Sequence, residues 1–260
     1  MSWKLPSKAS SLRNPQSVRV EPGGFDVPRR LYELVRALPS SPRLIDVGAD
    51  HGLLALAALR LSIADKVVAL DRREGPLAGA AARTYIDKDD DYEFVLSDGL
   101  QEIETELTDS VVVAGMSGEN AAGILESAML KRAPPRLWAF QVNDGHPTLR
   151  RALFKAGFRV LSEWFVAESQ RFFLNQVWIL GENRAYLPTD AECELGPLAF
   201  SGHSPLMKVW IGLERARLAR DLEGLKQARD FCGDDPRYQA IVHRDRLLAG
   251  QSLVIPAQTD

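Results

Sequence analysis

Cysteine is scarce in this chain: 260 residues hold two, Cys193 and Cys232, far apart and outside any CxxC or Cys/His spacing. That excludes a disulfide framework and a zinc site as organising elements, and a reducing, cytoplasmic location is expected. No apolar run reaches the roughly 20 residues that a membrane helix requires. The opening residues, MSWKLPSKASSLRNPQSVRVEPGG, contain no apolar signal core, so secretion is not expected. Excess charge is lacking as well. Lys and Arg number 32 against 35 Asp and Glu, a net charge of -3 that disfavours indiscriminate binding to polyanions. No GxGxxG fingerprint is present, which argues against a dinucleotide cofactor. Nor is there an internal repeat or a low-complexity tract.

What is present is ordinary globular composition, 45% apolar and 26% charged. The length suits one large domain, or one domain with an appendage. Residues 1–26 read as a flexible basic extension, 27–181 as a single α/β domain and 182–260 as a helical region. The first 43 residues hold Lys4, Lys8, Arg13, Arg19, Arg29, Arg30, Arg36 and Arg43 against Glu21, Asp26 and Glu33. Two readings stay open there, a local basic surface or an ordinary solvated tail and helix face.

From Val27 onward the pattern alternates. Helical spacing predicts helices over Val27 to Leu38, His51 to Ile63, Pro76 to Tyr85, Asn120 to Leu130 and Pro147 to Ala156. Short apolar runs predict strands over Arg43 to Val47, Lys66 to Leu70, Tyr92 to Leu96, Ser110 to Ala114 and Arg136 to Val142. Phe158 to Ala167 and Phe172 to Leu180 read as an antiparallel pair near a sheet edge. Strands alternating with helices indicate a doubly wound α/β fold with a mostly parallel sheet, whose ligands bind at the carboxyl ends of the strands. Beyond Gly181 a loop leads to a long amphipathic helix over Pro205 to Phe231 and a second over Tyr238 to Leu248, a coiled-coil-like hairpin.

The strand ends share a character. They read Asp46-Val-Gly-Ala-Asp-His-Gly52, then Asp71, Ser97-Asp98-Gly99, Gly115-Met-Ser-Gly118 and Gln141-Val-Asn143. Core packing requires none of these residue types. Glycines at 48 and 52 let a backbone approach a ligand, but Asp50 between them would repel a pyrophosphate. S-adenosylmethionine reverses the argument, because it has no phosphate and carries a cationic sulfonium and ammonium. Asp71 is then placed to accept ribose hydroxyls, as an acidic residue does in dinucleotide folds, and Asp98 to accept from the adenine amine. Plainer readings remain: Asp50 as the N-cap of a helix starting at His51, Asp71-Arg72-Arg73 as a surface turn, Asp98-Gly99 as a simple turn, and His51 as solvent-facing.

Taken together, LIDVGADHG, ALDRREGPLAGA, LSDGL, VVVAGMSGE and FQVN resemble the bacterial tRNA (adenine(22)-N(1))-methyltransferase family. Its members carry an ADIG-T/S-DHxYLP loop, a GPL helix start, a GDGL turn, IAGMGG and QPN. The similarity runs on through Leu149 to Phe158 and to Leu195-Gly-Pro-Leu198, roughly residues 27 to 230. The resemblance implies a seven-stranded Rossmann-like methyltransferase sheet, S-adenosyl-L-methionine as cofactor and N1 of an adenine in tRNA as acceptor. On that basis Asp50 is the catalytic residue. Asp46, Gly48, Gly52, Asp71, Asp98, Gly99, Gly115 and Met116 hold the donor, and Gln141, Asn143 and His51 hold the base. No metal is expected. The chain departs from the pattern on the acceptor side: Leu53-Leu54-Ala55 replaces Tyr-Leu-Pro, Ser117 replaces a glycine, Val142 a proline, and the segment from Ser169 to Leu174 replaces GKIYE. Two other readings follow from these departures: a methyltransferase with another acceptor, and a non-catalytic RNA-binding protein on the same fold.

Overall fold

The run Leu44-Ile-Asp-Val47 lies at the middle of a seven-stranded sheet. The computed structural model describes residues 16–21, 24–75, 81–88, 90–168, 171–181, 187–196, 205–227 and 231–250. The chain divides into two units, Met1–Leu187 and Pro188–Asp260. In the first, the described elements are β1 (Ser17–Val20), β2 (Phe25–Pro28), α1 (Arg29–Arg36), β3 (Ser41–Val47), α2 (Leu53–Arg60) and β4 (Ala64–Asp71). A single 3-10 turn (Ala81–Thr84), β5 (Tyr92–Leu96), β6 (Ser110–Ala114), α3 (Gly118–Ala128), β7 (Leu137–Gln141), α4 (His146–Lys155), β8 (Phe158–Glu168) and β9 (Arg171–Leu180) follow.

The large sheet runs β5-β4-β3-β6-β7-β9-β8. Its first five strands are parallel, β9 is antiparallel to β7, and β8 is antiparallel to β9. The chain leaves β3 toward one edge through β4 and β5, then returns to the other side of β3 with β6. That reversal opens a crevice at the carboxyl ends of β3 and β6.

Alternation along the strands sends side chains to two cores. Ile45, Val47, Val68, Leu70, Val111, Val113, Trp138 and Phe140 face α3 and α4 and meet Leu125, Leu149 and Leu153. Their neighbours Leu44, Val67, Ala69, Val112 and Ala139 face α1 and α2 and meet Leu34, Val35, Leu54, Ala55 and Ala58. Strands buried on both faces explain why their sequences read as continuous apolar runs. Each large side chain so buried contributes roughly 1.5–3 kcal/mol.

Two expectations change at the start of the chain. The flexible extension expected over 1–26 fails at its end: β1 and β2 form an antiparallel pair, and Val20, Phe25 and Val27 pack under Leu56 and Ala57 of α2. Val27 and Pro28 therefore belong to a strand, and the first helix begins at Arg29. The helix expected over Pro76 to Tyr85 lies outside the described residues at 76–80, and its remainder is the 3-10 turn. Among the described residues, no helix is long and apolar enough to cross a membrane.

The second unit is helical, with α5 (Asp190–Leu195), α6 (Pro205–Lys226) and α7 (Pro236–Gly250). Leu195, Leu218 and Leu248 make its small core. Ion pairs from Arg215 to Asp245 at 2.8 Å and from Arg244 to Glu214 at 3.2 Å join the two long helices. The loop expected before them contains α5, opened by a capping box in which Thr189 and Glu192 satisfy each other's backbone N–H.

Two details at the sheet's carboxyl edge yield expected outcomes. Gly118 opens α3 with its backbone pressed on the next loop, so a Cβ there would lie 2.1 Å from the Gly145 carbonyl oxygen. Gly118→Ala is expected to lower stability by about 1–3 kcal/mol, as overpacked sites do. Gly123→Ala, on the same helix with open space at its Cβ, serves as control. Equal thermal midpoints for the two variants would contradict the contact.

Asp46 is buried and its Oδ2 has no hydrogen-bond partner. Burial pushes its carboxyl up to about 7 from 3.8, against the opposing Ala55 N–H and with a further push from Asp71. The folded state thus holds this proton more tightly than the unfolded chain, a stabilisation complete below the unfolded value and lost as pH rises through about 7. Across that window the stability advantage of Asp46→Asn over the parent should grow by up to ~4 kcal/mol, read from urea midpoints. A gap that does not vary with pH would show that Asp46 is charged throughout.

Candidate functional site

The five parallel strands end on one side of the sheet, and four of their tips converge on a cleft of about 850 Å³. The first tip is the glycine loop after β3. Gly48 and Ala49 both donate their N–H to the Leu70 carbonyl at 2.8 Å, which turns the chain sharply over β4. The turn needs positive φ at Gly48 (77°), and a Cβ there would lie 3.0 Å from the methyl of Met116. Asp50 also has positive φ, 49°. Aspartate tolerates that region better than most residues, yet it remains uncommon.

Asp50 is not a helix cap. Helix α2 begins at Leu53, its N-cap is Gly52 at φ 70°, and no side chain caps it. The helix expected from His51 thus starts two residues later. The Asp50 carboxylate is left on the cleft, with His51 Nε2 at 3.5 Å and an Arg73 guanidinium nitrogen at 4.0 Å.

Asp71, at the end of β4, is 4% exposed, which disposes of the surface-turn reading. Its Oδ2 accepts the Asp50 N–H at 3.3 Å, and its Oδ1 accepts the Arg73 N–H at 3.0 Å. Oδ1 also accepts from Arg73 Nε at 3.4 Å, so Oδ2, with one donor, is the oxygen that retains a lone pair for a ligand hydroxyl. The neighbouring tip is fixed by Ser97, which donates its hydroxyl to the Gly99 carbonyl at 3.0 Å and accepts the Glu102 N–H at 3.2 Å. Gly99 sits at φ 62° in that turn, and Asp98 is exposed on the cleft wall.

Opposite lies the tip of β6. Gly115 (φ 79°) and Met116 pass under the loop after β7, which they grip through backbone bonds and through Asn143, whose Nδ2 donates to the Gly115 carbonyl at 2.8 Å. Ser117, where the related motif has glycine, caps α3 by accepting the Asn120 N–H. The cleft wall carries Asp50, Asp71, Asp98 and Glu119 beside Arg30, Arg72 and Arg73. Acids at the donor loop suit a ligand with a cationic centre and disfavour a pyrophosphate. Among the described residues, no group of three His, Cys, Asp or Glu side chains is arranged to hold a metal ion.

The structure thus gathers Gly48, Asp50, His51, Asp71, Asp98, Gly99, Gly115 and Met116 around one space. It does not bring the other sequence-derived residues to the surface of that space. Asp46 lies within β3, under the loop and near the Ala55 N–H. Gly52 is buried, its carbonyl accepting the Tyr92 hydroxyl at 2.7 Å. Gln141 corrects an expectation: it is fully buried, its Nε2 donates to the Val142 carbonyl and its Oε1 accepts from Arg30 Nε at 3.2 Å, so its amide has no free edge for a base. Asn143 serves the loop contact described above.

Arg30 is the cleft residue that sequence reading passed over. It appeared there only as part of a basic run, because nothing in the sequence shows that the first helix lies beside the strand tips. Arg73 was missed likewise, since a cation after Asp71 looks like surface.

Comparison with known proteins bears on the family and the fold. A family model described as a methyltransferase domain matches residues 27–174. A tRNA (adenine(22)-N(1))-methyltransferase of Bacillus subtilis (strain 168) is 24% identical over 227 residues, covering 85% of this chain and 94% of the relative. The crystal structure of the B. subtilis m1A22 tRNA methyltransferase TrmK superposes with a TM-score of 0.74 at 21% identity, over 86% of this chain and 97% of that one. M. capricolum TrmK, solved with S-adenosyl-homocysteine, gives 0.72 at 18% identity, over 86% and 96%. With a glycine loop, a buried acid after the second parallel strand and a domain match over more than half of its length, the chain belongs to the methyltransferase domain family.

Proposed function

We propose that the chain transfers a methyl group from S-adenosyl-L-methionine to N1 of an adenine in tRNA, acting in the cytoplasm. One observation carries the donor assignment: both Asp71 oxygens are pre-oriented by backbone N–H groups from two different strand tips. A carboxylate held this way, with Arg73 Nε also on Oδ1, keeps Oδ2 open and oriented to accept from a ribose hydroxyl. Met116 lying over Gly48 marks where a side chain in place of hydrogen would fill the cradle. The acceptor assignment rests on the acidic DHG loop, and on relatives named for that reaction that align with most of this chain.

When bound, the donor supplies an electrophilic methyl on a cationic sulfur. The task of the chain is to orient and desolvate. Asp71 holds the ribose, Asp98 accepts from the adenine amine, and the glycines at 48, 99 and 115 let backbone lie close to the ligand. Orientation of this kind contributes ~7–11 kcal/mol toward the barrier. Neutral adenine has a free lone pair at N1, so no proton must leave before attack. Asp50 accepts a hydrogen bond from the exocyclic amine of the acceptor base, which raises electron density at N1 and offsets the positive charge that the base gains. N1 lies on the pairing edge, so the base enters the cleft splayed out of its helix.

Nucleoside mass spectrometry of tRNA with and without the protein should reveal 1-methyladenosine; labelled methyl that never enters tRNA would discard this acceptor. Asp50→Ala should lower kcat at least ~100-fold, in the range of a lost electrostatic stabiliser of developing charge, with donor affinity within a few-fold of the parent. Asp71→Ala should instead weaken donor binding roughly 10- to 100-fold in calorimetry, the cost of lost charge-assisted hydrogen bonds. Normal turnover by the first variant, or normal affinity in the second, would reverse the role given to that residue.

A further inference from the structure

A base drawn out of its helix loses its stacking partners, and sites that accept such bases replace them with a planar side chain. No Phe, Tyr or Trp lines the cleft among the described residues. Leu53 stands where the related motif carries tyrosine. Arg30 is the cleft residue whose plane is fixed by its surroundings. Its Nη1 donates to Glu168 Oε1 at 2.5 Å, and its Nε donates to Gln141 Oε1 at 3.2 Å. Its guanidinium carbon lies 4.7 Å from the centroid of the Phe173 ring. Its backbone is tied down as well: the N–H donates to Glu168 Oε2 at 3.1 Å, and the carbonyl accepts from Asn175 Nδ2 at 2.7 Å.

Two donor edges of the guanidinium are therefore committed, and its carbon lies over the Phe173 ring. The side chain lines the cleft and is 23% exposed. Glu168 neutralises the charge, so the group is poorly suited to act as a phosphate anchor and well suited to act as a flat surface. We propose that Arg30 is the stacking platform for the acceptor base, a guanidinium plane sandwiched between the Phe173 ring and the splayed adenine. Fully buried Gln141 then has a defined task, holding one edge of that plane level.

This inference rests on the acceptor being a nucleobase, as proposed above. The test compares Arg30→Lys and Arg30→Ala with the parent in methyl transfer to tRNA, with donor affinity and thermal midpoint as controls. Lysine keeps the charge and loses the plane. Arg30→Lys should raise the KM for tRNA roughly 10- to 100-fold, the range for losing one stacked base, with donor affinity unchanged. A KM equal to the parent's would overturn the proposal. In Arg30→Ala the dependence of tRNA binding on salt should keep its slope; a slope lower by about one would mean a phosphate contact and would also overturn it. Should both variants fold poorly, Phe173→Leu removes the ring beneath the plane and leaves the ion pair, and it should raise the tRNA KM by a smaller factor; no rise at all would overturn the platform. If the parent itself methylates no tRNA, the acceptor reading fails separately. Binding of single-stranded oligoadenylate by the parent against Arg30→Lys then decides the platform, equal affinities rejecting it.

Discussion

The Asp71 carboxylate joins two strand tips that the fold only brings near each other. One oxygen holds the Asp50 N–H and the other the Arg73 N–H. The first bond, with those of Ala49 to Leu70 and Gly52 to Ala49 on either side, holds a non-glycine residue at φ 49° in the middle of the glycine loop. Without the second, the chain after β4 could turn away from the cleft. The same buried group therefore shapes the loop and offers its remaining lone pairs to a ligand. The bond to the Asp50 N–H continues the turn that Gly48 and Ala49 begin on the Leu70 carbonyl, and it sets where the Asp50 backbone sits beside the cleft.

A doubly wound sheet was readable because strands buried on both faces leave continuous apolar runs, which β3, β4, β6 and β7 each contain, while the edge strand β5 carries the shorter run Phe94 to Leu96. The strand-tip acids were readable for a related reason: Asp50, Asp71 and Asp98 are residue types that packing does not ask for. What could not be read was anything that depends on pairing across long sequence separations. The β1 and β2 pair is short, and its four-residue strands carry Arg19 and Asp26 on the outer face, so it resembled a tail. Helix α5 was overlooked although Thr189 and Glu192 have capping-box spacing, because prolines and glycines around it dominated the reading.

Gln141 shows how position and role can part. At the end of β7, in a segment reading FQVN, its amide looked like a base-reading group. The strand register turns it inward, where it supports Arg30. Asn143, two residues on, is spent on the Gly115 carbonyl. The amides are thus structural members of the wall, and the parts of the wall that face the cleft come from the first helix, from the loops after β3, β4, β5 and β6, and from α3. On this reading, departures from the related motifs around Val142 and Ser117 alter loop packing before they alter substrate contacts.

The grip on Arg30 also has a consequence in time. Its partner Glu168 lies 138 residues further along the chain. Synthesis at about 5–20 residues per second separates the two by roughly 7 to 28 s. During that interval β3, β4 and their loops already exist, while the first helix has neither its carboxylate nor the aromatic ring of Phe173 to rest on. The loops after β3 and β4 are thus synthesised well before the wall beside Arg30 can be completed, which happens only when the last hairpin arrives.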